Sequence, residues 1–259
     1  MKKLSIWKAD WLVGLLVVLF FLFSASSDLM QSLERKAYDL GVLASSHPPS
    51  DKVAVIAIDD QSIANLGRWP WPRATQARML DLLAQGKAKV VGNTALFFEP
   101  QVDPGLLYIN KIAEALGKSA LISNTDPARQ GELSQIDALL LEAVQNLNND
   151  QKFSESMARA NDVLLAMYFE LGDPQGKPDN PLPGYVQKNN LTNINDPAGM
   201  GMAGVLPLSA ASLQYPIPLL GERAVGIGHL NTLIDVDGAV RVEPLVVGYY
   251  NQYYPSLSL

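Results

Sequence analysis

The chain has no cysteine and only two histidines among its 259 residues. The first absence removes disulfides, thiolate catalysis and Cys-ligated zinc together. It assigns no compartment, because extracytoplasmic proteins also manage without disulfides. Charge is sparse: 20 Lys and Arg stand against 26 Asp and Glu, and the net charge is −6. A nucleic-acid partner requires a basic footprint, which this chain does not have. It also has no H-E-x-x-H, G-x-S-x-G or G-x-x-x-x-G-K-[ST], so the usual marks of a metalloprotease, a serine hydrolase and a P-loop enzyme are missing. Internal repeats and low-complexity tracts are absent too. What is plentiful is apolar: 48% of the residues are hydrophobic, enough for one large domain or two small ones.

The most informative stretch is Val53 to Arg73, VAVIAIDDQSIANLGRWPWPR. Val53 to Ile58 is an unbroken apolar run, which reads as a strand buried on both faces. Asp59 and Asp60 then open its carboxyl end to water, since adjacent carboxylates do not stay buried unpaired. Ser62 to Leu66 can make one helical turn, stopped by Gly67. In RWPWPR, Pro70 and Pro72 hold Trp69 and Trp71 extended. Two indoles therefore stand at spacing two on a stiff segment between Arg68 and Arg73. A helix is expected over Ala74–Gln85, closed by Gly86. A second apolar strand is expected over Lys89–Phe98, ending at Glu99-Pro100. A right-handed strand–helix–strand unit of this kind supplies a parallel pair.

VIAIDDQSIANLGRWPWPR, then a helix, then KVVGNTALFFEP, resembles the type-two CHASE domain. GHLNTLIDVDGAVR from Gly228 to Arg241 and YYPSLSL from Tyr253 to Leu259 extend the resemblance. It runs from about Leu29 to the last residue with an atypical middle, and RWPWPR is its most specific mark. It implies an extracytoplasmic sensor domain of a bacterial signalling protein, without catalysis of its own. In the family such domains are joined to Ser/Thr kinases, histidine kinases, adenylate cyclases or diguanylate cyclases. The loop GDPQGKPDNPLPGY is most similar to the Ser/Thr kinase members. One position departs: Thr94 stands where the family pattern G-F-D-x-x-F has its acid, so any role of that acid does not carry over.

Ahead of this region, Trp11 to Ser27 carries no charge and approaches the ~17–25 residues of a spanning helix. Lys2, Lys3 and Lys8 precede it and keep the amino terminus cytoplasmic. A secretory signal peptide, cleaved near Ser24-Ala25-Ser26, fits the same residues; the resemblance favours a retained anchor over residues 1–27. Either way the domain over residues 28–259 lies in the periplasm, held at the inner membrane in the anchored case. A stalk helix is expected over Asp28–Ala44, N-capped by Asp28, with Leu29, Leu33, Ala37 and Leu40 on one face. It would pack on the domain or make a dimer contact. SSHPPSD is a linker, with His47 solvated.

Further on, helices over Leu106–Leu116 and Glu132–Leu147, with a short strand over Ser119–Ser123, make residues 106–149 a helical insertion. A helix capped by Ser154 over Phe153–Ala160 leads to a strand over Val163–Phe169. Residues 172–204 read as a long surface loop. A strand over Ala224–Asn231 follows, then an Asp-Gly turn at Asp235-Val236-Asp237-Gly238 and a returning strand over Ala239–Tyr250. The expected fold is a three-layer α/β domain, a mixed sheet with flanking helices, preceded by one transmembrane helix. Tyr253–Leu259 opens an element without a terminator. The native chain is therefore expected to continue through an odd number of spans, three by the resemblance, to a cytoplasmic output domain.

Among candidate site residues, Asp59 and Asp60 suit a ligand contact beyond a strand's carboxyl end, or a turn cap and an arginine partner. Arg68 and Arg73 suit a grip on a carboxylate or phosphate with an indole wall, or ion pairs with Asp59, Asp60 or Glu99 that lock the loop. Trp69 and Trp71 read as core. One of the two aspartates is expected within salt-bridge reach of Arg68 or Arg73, near Glu99. Asn231, Asp235, Asp237 and Arg241 complete the set. The x-D-x-D-G spacing occurs in calcium loops, but Arg241 and a strand follow where further oxygen ligands are needed, so a plain hairpin reads better. His229, alone in an apolar strand, reads as a core histidine. No catalytic residue, metal or cofactor is assigned. The expected partners are an unknown small-molecule or environmental ligand, the lipid bilayer and a second copy of the chain. Two readings compete with the sensor. One is a periplasmic metal-dependent hydrolase using Asp59, Asp60 and Asp237, which lacks an activated nucleophile and base. The other is an envelope-anchored scaffold.

Overall fold

A computed structural model describes residues 10–24, 27–45, 47–48, 50–119, 127–176, 180–192 and 207–259. The chain divides into two compact units, Met1–Asp59 and Asp60–Leu259.

The first unit holds α1 (Asp10–Ser24) and α2 (Asp28–Ala44). At 15 residues, α1 is about 22 Å long, short of the ~30 Å hydrocarbon core. Among the described residues no single helix is long and apolar enough to cross a membrane; α1 and α2 pass that test only together, as a bent pair, by length and composition. Lys2, Lys3, Lys8 and the Ala25-Ser26 part of the cleavage site lie outside the described residues. α2 spans the residues expected of it, but its N-cap is Ser27, whose Oγ accepts the amide of Met30 at 3.4 Å. Asp28 sits one place later, in the first turn, where a negative charge suits the helix end. The leucines of the expected face, Leu29, Leu33 and Leu40, are exposed.

Val53–Ile58 is the largest departure from expectation. The run belongs to no strand of the sheet and is exposed, Val55 at 87% and Ile56 at 59%. An apolar run states what burial would gain; it does not by itself fix the secondary structure.

The second unit opens with α3 (Asp60–Leu66), which Gly67 ends in the left-handed region at φ 99°, open to glycine at no steric cost. α4 (Arg73–Gln85) follows and closes at Gly86 as expected. β1 is only Val91–Asn93, against an expected strand over Lys89–Phe98. The cause is local: Asn93 Oδ1 accepts the amide of Ala95 at 2.9 Å, an Asx turn that competes with the ladder. Two helices follow, α5 (Pro104–Gly117), capped by Asp103, and α6 (Pro127–Leu147), where helices were expected; the strand expected over Ser119–Ser123 falls outside the described residues except for Ser119. α7 (Asn149–Ala160) starts earlier than expected, because Asn148 caps it by accepting the amide of Gln151 at 3.1 Å. Ser154, the expected cap, instead donates to the carbonyl of Leu219 at 3.0 Å.

β2 (Val163–Leu171) is the central strand, with Val163, Leu165, Met167 and Phe169 all fully buried. The expected loop over 172–204 contains α8 (Gly184–Gln187), anchored by buried Tyr185 and Val186; residues 177–179 and 193–206 lie outside the described set. β3 (Leu208–Gln214) and α9 (Pro218–Gly221) come next. β4 (Gly226–His229), β5 (Leu233–Ile234), β6 (Val240–Val242), β7 (Val246–Tyr249) and β8 (Gln252–Pro255) complete the unit. The long strand expected over Ala239–Tyr250 is split at Pro244, which has no amide to give a ladder. β5 and β6 form the expected hairpin as a separate two-stranded sheet, with Gly238 in its turn at φ 81°.

The main sheet is mixed. β2 runs parallel to β1 and to β4 and antiparallel to β3, β3 is parallel to β7, and β7 is antiparallel to β8. The parallel pairs are thus β1–β2, β2–β4 and β3–β7, not one built from Val53–Ile58. The ladder then returns on itself: His229 of β4 bridges Ser256, and Leu257 N–H donates to the His229 carbonyl at 2.9 Å. Only glycine at 228 permits this closure, since a Cβ there would lie 2.6 Å from the Leu257 backbone. Inside the ring Phe169 meets the rings of His229, Tyr249 and Tyr254 at centroid distances of 5.9, 6.1 and 5.7 Å. A second part of the core joins α4 to α7 through Ala77, Leu80, Phe153 and Met157, with Phe97 tilted on Phe153 at 5.0 Å.

Candidate functional site

Beyond the carboxyl end of β1 lies a cavity of about 870 Å³. The WPWP segment (Trp69–Pro72) and the start of α4 form one wall, residues 95–101 after β1 another, and Leu213–Tyr215 at the end of β3 a third. The segment bends at residues 68–70 rather than running extended as expected, with the Trp69–Pro70 peptide bond cis, and Trp71 is fixed by donating Nε1 to the Gly67 carbonyl at 2.7 Å. Trp69 and Trp71 meet edge to face, centroids 5.6 Å apart at 77°, a favoured aromatic geometry. Expected in the core, both rings are half-buried and wall the cavity instead.

Arg73 is the anchor of this corner. Its Nη1 pairs with Asp150 in the first turn of α7, and its Nη2 donates to the main-chain carbonyl of Glu99. The guanidinium stands over the Phe97 ring, 5.3 Å from its centroid. Its own amide donates to Gln101 Oε1 at 2.8 Å, while the amide of Gln101 donates to Asp150 Oδ2 at 3.0 Å. Arg73 and Asp150 are both buried, so each charge depends on the other. The charged partner of Arg73 is therefore Asp150, not Asp59 or Asp60, and Glu99 contributes its carbonyl. Gln76 Oε1, also buried, accepts from Asn93 Nδ2 at 3.4 Å. Asp150, Gln76 and Gln101 were not among the expected site residues. An acid in the first turn of a helix is legible, but its partner 77 residues away is not.

The other candidates lie elsewhere. Asp60 opens α3 and is exposed, as is Arg68; neither lines the cavity. Asp59 ends the first unit and is exposed. Asp235, Asp237 and Arg241 make their own cluster: Arg241 Nη1 bonds Asp235 Oδ2 at 2.6 Å, and its Nη2 bonds Asp237 Oδ2 at 2.8 Å. Both carboxylates thus hold the hairpin shut. Asn231 is buried and extends β4 by side chain, accepting the Phe169 amide at 3.0 Å and donating to its carbonyl at 2.6 Å. His229 is fully buried, its Nδ1 accepts the Asn231 amide at 3.3 Å, and its Nε2 has no hydrogen-bond partner among the described residues. Burial pulls its pKa down to about 4, against a smaller upward pull from Glu243. Among the described residues no group of three or more His, Asp or Glu is placed to hold a metal ion.

The CHASE2 domain family matches residues 13–259, nearly the whole chain. No curated protein and no solved structure matches it. The chain belongs to the CHASE2 domain family, a family of extracytoplasmic sensor domains of signalling proteins.

Proposed function

We propose that this chain is the periplasmic sensing part of an inner-membrane signalling protein, and that its ligand enters the cavity walled by Trp69 and Trp71. On this reading the chain detects a small-molecule or environmental stimulus and passes its state across the bilayer to a cytoplasmic kinase or cyclase. The cavity is the observation that supports the ligand site. It is large enough for a small molecule, walled by aromatic rings on a stiff loop, and backed by a buried ion pair that fixes its floor. Residues 1–27 act as anchor in this scheme. The exposed leucines of α2 (Leu29, Leu33 and Leu40) suit a contact with a second copy of the chain. A hydrolase reading needs Asp59, Asp60 and Asp237 at one centre, but Asp237 is held by Arg241.

Two measurements test the proposal. A reporter enzyme that works only in the periplasm, fused after Ala44, is expected to be active, and cytoplasmic activity of a reporter at that place would overturn the topology. The purified chain is expected to melt higher in a small-molecule fraction of the periplasm. A ligand at 100 times its Kd adds about 2.7 kcal/mol. The rise should vanish in the Trp69→Ala/Trp71→Ala variant; an undiminished rise would put the ligand elsewhere.

A further inference from the structure

Taking the cavity as the ligand site, we propose further that it receives a cationic amine, held by an indole face and the carboxylate of Glu99.

The cation among the cavity-lining residues is Arg73, whose side chain is only 10% exposed and already paired with a carboxylate. One Nη is committed to Asp150, the other to the Glu99 carbonyl, and the guanidinium face to Phe97. A carboxylate or phosphate entering here would meet a guanidinium that is buried and already neutralised by Asp150, so it finds little net positive charge. The donor of Trp71 is also spent, on Gly67, so this ring presents π-surface rather than an N–H. Opposite charge remains available. Glu99 lines the cavity and is exposed, and its carboxylate makes no ion pair among the described residues. With Arg73 balanced by Asp150, the wall is left with one net negative charge. Indole is the best ring for holding a cation over its face. Trp69 and Trp71 stand at 77° to each other, so their faces look in different directions and one can meet a cation entering between the walls. Aromatic rings set at an angle, in a cavity that a carboxylate-bearing residue also lines, are the chemistry that recognises a substituted ammonium group.

The test compares three probes at constant ionic strength on the full chain, read by tryptophan fluorescence and by melting temperature. Choline carries the cation, 3,3-dimethylbutan-1-ol has the same shape without charge, and inorganic phosphate is the anion. Choline is expected to saturate the response and the neutral isostere to bind about tenfold more weakly, a typical cation–π and carboxylate contribution. Glu99→Gln is expected to weaken choline about tenfold with an unchanged melting temperature for the free protein, since the side chain is exposed. Equal binding of the isostere, or saturation by phosphate, refutes the cationic class; if that binding is lost in Trp71→Leu, the cavity stands as ligand site. Choline binding that survives Glu99→Gln and Trp71→Leu together places the cation elsewhere and overturns the proposal. No saturable response to any probe overturns it too, and withdraws its support from the ligand-site reading.

Discussion

Removing the carboxylate of Asp150 tests whether the corner beneath the cavity depends on a buried charge pair. The side chains of Arg73 and Asp150 are 10% and 11% exposed. In Asp150→Ala the guanidinium keeps the Glu99 carbonyl and the Phe97 ring but loses its counter-charge. Breaking a buried pair from one side costs roughly 3–5 kcal/mol. The amide of Gln101 loses its acceptor as well, about 1 kcal/mol taken alone, but it shares the same network and does not simply add. At about 2–4 °C per kcal/mol for a domain of this size, the melting temperature should fall by ~6–20 °C. Replacing both partners by apolar groups, as in Arg73→Met/Asp150→Leu, should cost much less than the two single changes together, with a coupling above about 2 kcal/mol. Urea unfolding of the native protein, Arg73→Met, Asp150→Leu and the double change gives the cycle, and Asp150→Ala is measured beside it. A loss under about 1 kcal/mol for Asp150→Ala, or strict additivity, would refute the reasoning and mean that water reaches the pair.

Trp71→Ala, at a half-buried ring, should cost about 1–2 kcal/mol in urea unfolding, below the ~3–5 kcal/mol of a fully buried aromatic; the larger value would return the indole to the core. His229 stays neutral in the fold down to about pH 4, whereas in the unfolded chain it titrates near its ordinary value of 6.5. Between those values the unfolded chain binds more protons, so stability is full above about pH 6.5 and falls as pH drops toward 4, by up to roughly 3 kcal/mol. Melting curves across that range should show the slope in the native protein and not in His229→Gln, and an equal slope in both would contradict it. Gly228→Ala forces a Cβ to 2.6 Å from the Leu257 backbone and should lower stability by about 1–3 kcal/mol; a neutral result would mean that the strands part easily there.

Local signals in the sequence were reliable where the physics is local. Gly67 and Gly86 end helices as read, α2 covers Asp28–Ala44, and Asp237-Gly238 makes its hairpin turn. Strands were harder, because a strand exists only with a neighbour. Val53–Ile58 has the apolarity of a buried strand without a place in the sheet, and Lys89–Phe98 was cut short by a single side-chain bond from Asn93. Pro244 was a visible breaker that the long apolar run over Ala239–Tyr250 masked. β3, with small and polar residues such as Ser209, Ala210 and Ser212, gives no run or alternation strong enough to mark it. At the site, the aromatic loop was legible from Trp-Pro-Trp-Pro alone. The partner of Arg73 was not, because Asp150 sits on an element whose place beside α4 is set by packing of Leu80 and Ala77 on Phe153 and Met157. Proximity along the chain pointed to Asp59 and Asp60 instead.

The closed ladder through β2, β3, β7, β8 and β4 changes how this part of the protein opens. An open sheet frays from its edge, one strand at a time. In a ring a strand leaves only when its neighbours on both sides part, and the seam that closes this one is the His229–Ser256 bridge with the Leu257 amide on the His229 carbonyl. The amides of these strands should therefore exchange with solvent water as one cooperative unit, near the global unfolding limit. β1, at the end of the strand order with three residues, should exchange much earlier. Leu213 and Gln214 lie on the ring and on the cavity wall alike. A ligand that presses on Gln214 thus meets a hoop that shifts as a whole rather than an edge that gives way.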